Sequence, residues 1–95
     1  MLAASSVVVA SGDQVARDLD GEVILLHLGT GTYYGLSGTG TRIWELVQEP
    51  RTVAAIRDTL VAEYDVEPGR CEADLLAVLR DLSDRGLIDV KEAPG

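Results

Sequence analysis

The chain has no phenylalanine, one cysteine, one histidine and half as many bases as acids, and each scarcity excludes something. A lone Cys71 cannot form an internal disulfide, and this usage fits a cytoplasmic protein. One cysteine and His27 are too few for a usual zinc site unless carboxylates are recruited, so no metal or other cofactor is expected. Without phenylalanine, and with only Trp44, Tyr33, Tyr34 and Tyr64 as aromatics, any core must be mostly aliphatic. Eight bases against sixteen acids leave a formal charge of −8. That balance penalises binding to phosphates and makes basic peptides the favoured charged partners. Apolar runs such as Val23 to Leu26 fall far below the ~18–20 residues that span a bilayer. The start, Met1 to Ser6, has no basic residue, so Val7-Val8-Val9 is not read as part of a secretory signal.

What is present suffices for one domain. Ninety-five residues, 46% hydrophobic and 25% charged, are ordinary for a single soluble core. The first third is rich in Gly, Val and Thr and reads as strands. Gln14–Leu19 is one, closed by Asp20-Gly21, a two-residue hairpin turn whose members both tolerate positive φ. Glu22–Leu28 follows, too continuously apolar for a half-exposed strand and so placed centrally. Gly29-Thr30-Gly31 is a second turn, and Thr32–Leu36 is a third strand. Val7–Ala10 is a possible short flanking strand within a 1–13 segment that precedes the domain.

From Ser37 the apolar period becomes helical. Ser37 or Thr39 can cap a helix to about Gln48, with Ile43, Trp44 and Val47 inward, ended by Glu49-Pro50. Thr52 caps a second helix through about Tyr64, with Ala55, Ile56, Leu60 and Tyr64 as its buried stripe. A third helix runs from about Arg70 to Asp84, with Leu75, Val78, Leu79 and Leu82 inward, and Gly86 ends it. Leu87–Val90 is a final strand, which places the domain at 14–90 with a polar tail at 91–95. The segregation of strands from helices predicts an α+β fold, a three-stranded antiparallel sheet followed by a three-helix winged helix-turn-helix.

No catalytic constellation is evident. His27 lies in an apolar strand, where a structural histidine is the simpler reading. Cys71 falls in the first turn of the third helix, where the helix N-terminus can lower a thiol pKa, but a passive surface or boundary cysteine is the favoured reading. Gly29-Thr30-Gly31 lacks the Lys-Ser/Thr and the helix of a phosphate loop. The features that point to binding are different. Thr32–Leu36 has no Lys or Pro guarding it as an edge strand, which favours docking. Tyr33 and Tyr34 must point to opposite faces, one packed and one exposed. Asp74, Asp81 and Asp84 recur at helical spacings of one side of the third helix, and Leu75 and Val78 near them can line a groove with an acidic rim.

Three stretches then resemble a known family. Gly21-Glu22-Val23-Ile24-Leu25-Leu26, Thr30-Gly31-Thr32-Tyr33-Tyr34-Gly35-Leu36 and Gly40-Thr41-Arg42-Ile43-Trp44-Glu45-Leu46 are similar to the PqqD family. Ala62-Glu63-Tyr64-Asp65-Val66, Ala73-Asp74-Leu75-Leu76 and Arg85-Gly86-Leu87-Ile88 continue the likeness across about residues 14–90. The resemblance implies a non-catalytic recognition element that binds the leader of a ribosomally made precursor peptide. The leader is expected to add as a strand to the sheet edge beside the third helix. That places the peptide-binding residues at Thr32, Tyr33, Tyr34, Gly35 and Leu36 on the strand, and at Cys71, Asp74, Leu75, Val78, Asp81 and Leu82 on the helix. The free-standing form resembles the lasso-peptide type. Its implied partners are a leader peptidase of the cysteine-protease type and an asparagine-synthetase-like cyclase, with neither nucleic acid nor membrane involved. The alternative is a PqqD-type chaperone serving a radical-SAM enzyme in pyrroloquinoline quinone synthesis or another peptide pathway. A winged-helix transcription regulator is disfavoured, because Arg70, Arg80 and Arg85 on its recognition helix are outweighed by Glu72, Asp74, Asp81 and Asp84.

Overall fold

Two small sheets and three helices enclose one mostly aliphatic core, with Trp44 buried in it, in the computed structural model, which describes residues 2–91. In chain order the elements are β1 (Val7–Ala10), β2 (Gln14–Leu19), β3 (Glu22–His27), β4 (Tyr33–Leu36), α1 (Thr39–Leu46), β5 (Arg51–Thr52), α2 (Val53–Tyr64), α3 (Pro68–Asp84) and β6 (Ile88–Lys91). The architecture is α+β. β2, β3 and β4 form the expected antiparallel meander with β3 in the centre. Its first turn works as the sequence requires: Asp20 and Gly21 both take positive φ, 53° and 83°, which suits the right-handed twist of the hairpin.

A second sheet, ordered β5-β1-β6, was not legible as such. The sequence reading leaves Val7–Ala10 in a segment ahead of the domain. The structure instead makes β1 the middle strand of this sheet, antiparallel to both β5 and β6, with Val8 fully buried. The globular unit therefore takes in residues N-terminal to position 14. β6 also runs one residue past the expected end, through Lys91, and the rest of the expected tail lies outside the described residues.

Helix ends follow local chemistry with some corrections. The Thr52 hydroxyl accepts from the Ala55 N–H at 3.1 Å and caps α2 as predicted. For α1, neither Ser37 nor Thr39 is the cap: Gly38 occupies that position at φ 57° with no side-chain bond. α3 starts at Pro68, earlier than Arg70, because proline at the first helical position loses no needed donor. Gly86, at φ 73°, stops α3, and the Leu87 N–H then bonds the Leu82 carbonyl at 2.9 Å. The stripe of α2 is Val53, Ile56 and Leu60; Ala55 is exposed, and Tyr64 is 45% exposed.

Candidate functional site

The meander has two unpaired edges, β2 and β4. β2 carries Arg17 and Asp18 and is exposed from Val15 to Leu19, the charged and solvated state that discourages pairing. β4 is apolar and lies against α3. The hydrogen bond from the His27 N–H to the Thr32 carbonyl, 2.9 Å, sets the phase of its ladder. Because antiparallel pairs alternate, Tyr34 and Leu36, opposite Leu25 and Val23, bond inward to β3. The N–H and C=O groups of Tyr33 and Gly35 are left on the open edge. A peptide strand laid alongside can form about four backbone hydrogen bonds with these two residues.

Side chains alternate accordingly. Tyr33 points to the outer face of the sheet and is 68% exposed, whereas Tyr34 is half-buried on the α3 side and Leu36 is buried. That resolves which tyrosine is packed. The Tyr34 Oη donates to Asp81 Oδ2 at 2.7 Å, the Arg85 Nε donates to Asp81 Oδ1 at 3.0 Å, and the Arg85 guanidinium carbon sits 4.7 Å from the centroid of the Tyr34 ring. These three side chains latch β4 to the C-terminal half of α3. The Tyr34 bond, assisted by Arg85, holds the Asp81 carboxyl below the usual aspartate range, while burial, together with Asp81, raises the Tyr34 phenol.

Beyond the end of β4, where the chain turns into α1, a cavity of about 200 Å³ opens between the three helices. Thr39, Gly40 and Ile43 wall one side, Leu60, Tyr64 and Val66 another, and Arg70, Cys71, Asp74, Leu75 and Val78 of α3 the third. A cavity of roughly 150 Å³ with apolar walls holds a benzene ring, so this one accepts a single large aliphatic or aromatic side chain. Tyr64 and Val66, 45% and 41% exposed, form its rim.

The structure thus gathers Tyr34, Asp81, Asp74, Leu75, Val78 and Cys71 along one groove, with Tyr33 and Gly35 on its strand edge. Thr32 is exposed just before the strand. Leu82 does not belong. It shares the angular position of Leu75 on the helix and is as fully buried, but Leu75 lines the cavity and Leu82 does not, so Leu82 offers no surface to a ligand. Leu82→Ala is therefore expected to lower global stability by about 2–5 kcal/mol, read as a fall in the denaturant midpoint, and to weaken ligand binding only through unfolding. The acidic rim also changes. Asp84 lies elsewhere, beside Leu2, Arg80, Ser83 and Val90. Asp81 is neutralised by Arg85, and Asp74 shares the cavity wall with Arg70, so the groove balances its charges. Sequence reasoning missed Arg85, Arg70 and the contributions of α1 and α2; the one available signal was the pair of apolar residues, Tyr64 and Val66, flanking the end of α2.

The remaining chemistry is structural. His27 Nδ1 accepts from the Gly29 and Thr30 N–H groups, each at 3.1 Å, and so closes the β3–β4 turn. The ring packs against Gly86, past the C-terminal end of α3, whereas Cys71 is in its first turn, about 20 Å away along the helix. His27 and Cys71 are therefore too far apart to act on one another. Burial, and then Asp74, push the Cys71 thiol up, which suits the passive cysteine expected over an activated one. Among the described residues there is no cluster of His, Cys, Asp or Glu suited to a metal, and no helix is long and apolar enough to cross a membrane.

An α+β domain with a winged-helix outline, whose sheet keeps one apolar edge open beside a helix-walled groove, is the class that this fold and site define. The chain belongs to the PqqD family, because the family model for Coenzyme PQQ synthesis protein D matches residues 22–88. It is 41% identical over 46 residues to a PqqA binding protein of Rhodopseudomonas palustris (strain HaA2), a match covering 48% of this chain and 45% of that protein. Among solved structures it resembles TbiB1 in complex with the TbiA(beta) leader peptide, with 42% identity and a TM-score of 0.80 over 85% of this chain and 94% of that one. The fold also matches lasso peptide synthetase B1 complexed with the leader peptide, at 23% identity and a TM-score of 0.77 over 86% of this chain and 96% of the other.

Proposed function

We propose that this protein binds the leader of a ribosomally made precursor peptide, without catalysing a reaction on it, in lasso-peptide biosynthesis. The observation that carries the reading is the open β4 edge running into a cavity sized for one side chain. Backbone pairing with Tyr33 and Gly35 gives affinity with little preference, and the cavity selects an apolar anchor. The likeness to TbiB1, bound to a leader peptide, supports the same role here. On this reading the bound leader is presented in the cytoplasm to a cysteine-protease-type leader peptidase and an asparagine-synthetase-like cyclase.

Calorimetric titration with the TbiA(beta) leader peptide tests it. Saturable binding of one peptide per chain is expected, with backbone amide perturbations at Tyr33 and Gly35. An absence of binding at millimolar peptide overturns the reading, and preferential binding of a PqqA precursor assigns the protein to the pyrroloquinoline quinone pathway instead.

The net charge of −8 favours a basic leader at long range, but the balanced groove limits how much charge contributes on contact. Affinity is expected to fall less than tenfold, roughly the Debye-screened share, between low and physiological salt. Asp74→Arg, at an exposed position, is expected to change affinity by about 1 kcal/mol or less in the same titration.

A further inference from the structure

We infer that Arg85 is a specificity-determining residue and that the bound peptide presents a carboxylate side chain to it; the inference rests on the proposed leader-binding role. Arg85 is held in place twice, by its Nε bond to Asp81 and by stacking on Tyr34. Its two Nη groups make no hydrogen bond among the described residues. A guanidinium with a fixed plane and a free N–H fork is arranged to receive a carboxylate in two-point geometry. Asp81 is the weaker ligand site for a basic residue, because Arg85 balances its charge and bonds one of its oxygens while Tyr34 bonds the other. The ring under the guanidinium belongs to the docking strand, so a peptide paired with that strand passes within side-chain reach of the fork.

The same geometry fixes a spacing. Asp74, on the cavity wall, and Arg85 are separated along the helix by about 16 Å at 1.5 Å per residue. An extended chain covers that distance in about five residues. The recognised pattern is therefore an apolar anchor with an Asp or Glu about five residues away.

The test is a double-mutant cycle with the TbiA(beta) leader, in which each Asp and Glu of the peptide is changed singly to its amide and titrated against wild-type protein and Arg85→Gln. Arg85→Gln is expected to weaken binding of the unmodified peptide about tenfold, and Arg85→Lys to recover only part of it. One amide peptide, altered near the expected spacing, should bind wild type about tenfold more weakly and bind Arg85→Gln no more weakly than the parent peptide does. A merely structural role for Arg85 would weaken all peptides alike. Unchanged affinity of Arg85→Gln, or additivity at every peptide carboxylate, overturns the inference while leaving leader binding intact; no binding by wild type overturns both.

Discussion

Val78→Asp is expected to abolish leader binding while leaving the protein folded. Val78 is half-buried, packs at the edge of the core and lines the cavity together with Leu75 and Cys71. In the free protein a carboxylate there can turn toward solvent through the mouth of the cavity. With an apolar anchor seated, it is buried without a partner, which costs several kcal/mol, so affinity should fall by roughly a hundredfold or more. Titration calorimetry reads the loss, and thermal unfolding shows whether the fold survives. A variant that stays folded and binds as wild type removes the cavity from the site. One that does not fold shows that Val78 supports the core before it serves a ligand.

Gly35→Pro is the complementary test on the strand. Its N–H lies on the open edge, so proline removes a donor that the free protein offers only to water. The bonds between β4 and β3 run through Tyr34 and Leu36 and are untouched. A Cβ added at Gly35 meets the Ile24 methyl at 3.6 Å, an ordinary contact. The proline ring, however, projects where the incoming strand must lie, so affinity is expected to drop by about two orders of magnitude for the lost bond and the steric block together. Tyr34→Pro would instead break the ladder to β3 and destabilise the fold. The pair therefore separates binding from folding: comparable losses of melting temperature in both variants would show that the phase assigned to β4 is wrong.

The sequence carried the meander, the three helices and the approximate site because each rests on a local signal. Asp20-Gly21 can hardly be anything but a tight turn, Thr52 sits where a helix needs an acceptor, and Gly86 takes a conformation that other residues avoid. The second sheet depends on a two-residue strand, Arg51–Thr52, and on pairing Val7–Ala10 with residues near the other end of the chain. No local period reports contacts of that range. For the site, helical spacing placed Val78 and Leu82 on one stripe but could not say how deep each lies. Depth is set by the neighbours: α1 and the C-terminal end of α2 leave a cavity against the N-terminal half of α3, while Tyr34 closes over the C-terminal half. The latch joins Tyr34 to residues 47 and 51 positions later, a meeting that only the tertiary fold arranges.

The two peptide units exposed by Tyr33 and Gly35 carry a consequence for molecular engineering. On the proposed reading they pair with main chain, which every sequence has, so most positions of a bound segment would be free to vary. If leaders dock as proposed, a short extended stretch with one apolar residue and one carboxylate correctly placed would hold a cargo of otherwise free composition at this edge. Recutting the walls at Ile43, Leu60 and Val78 would then reprogram which cargo is accepted without rebuilding the dock, making the domain a transferable handle for directing modifying enzymes to chosen peptides.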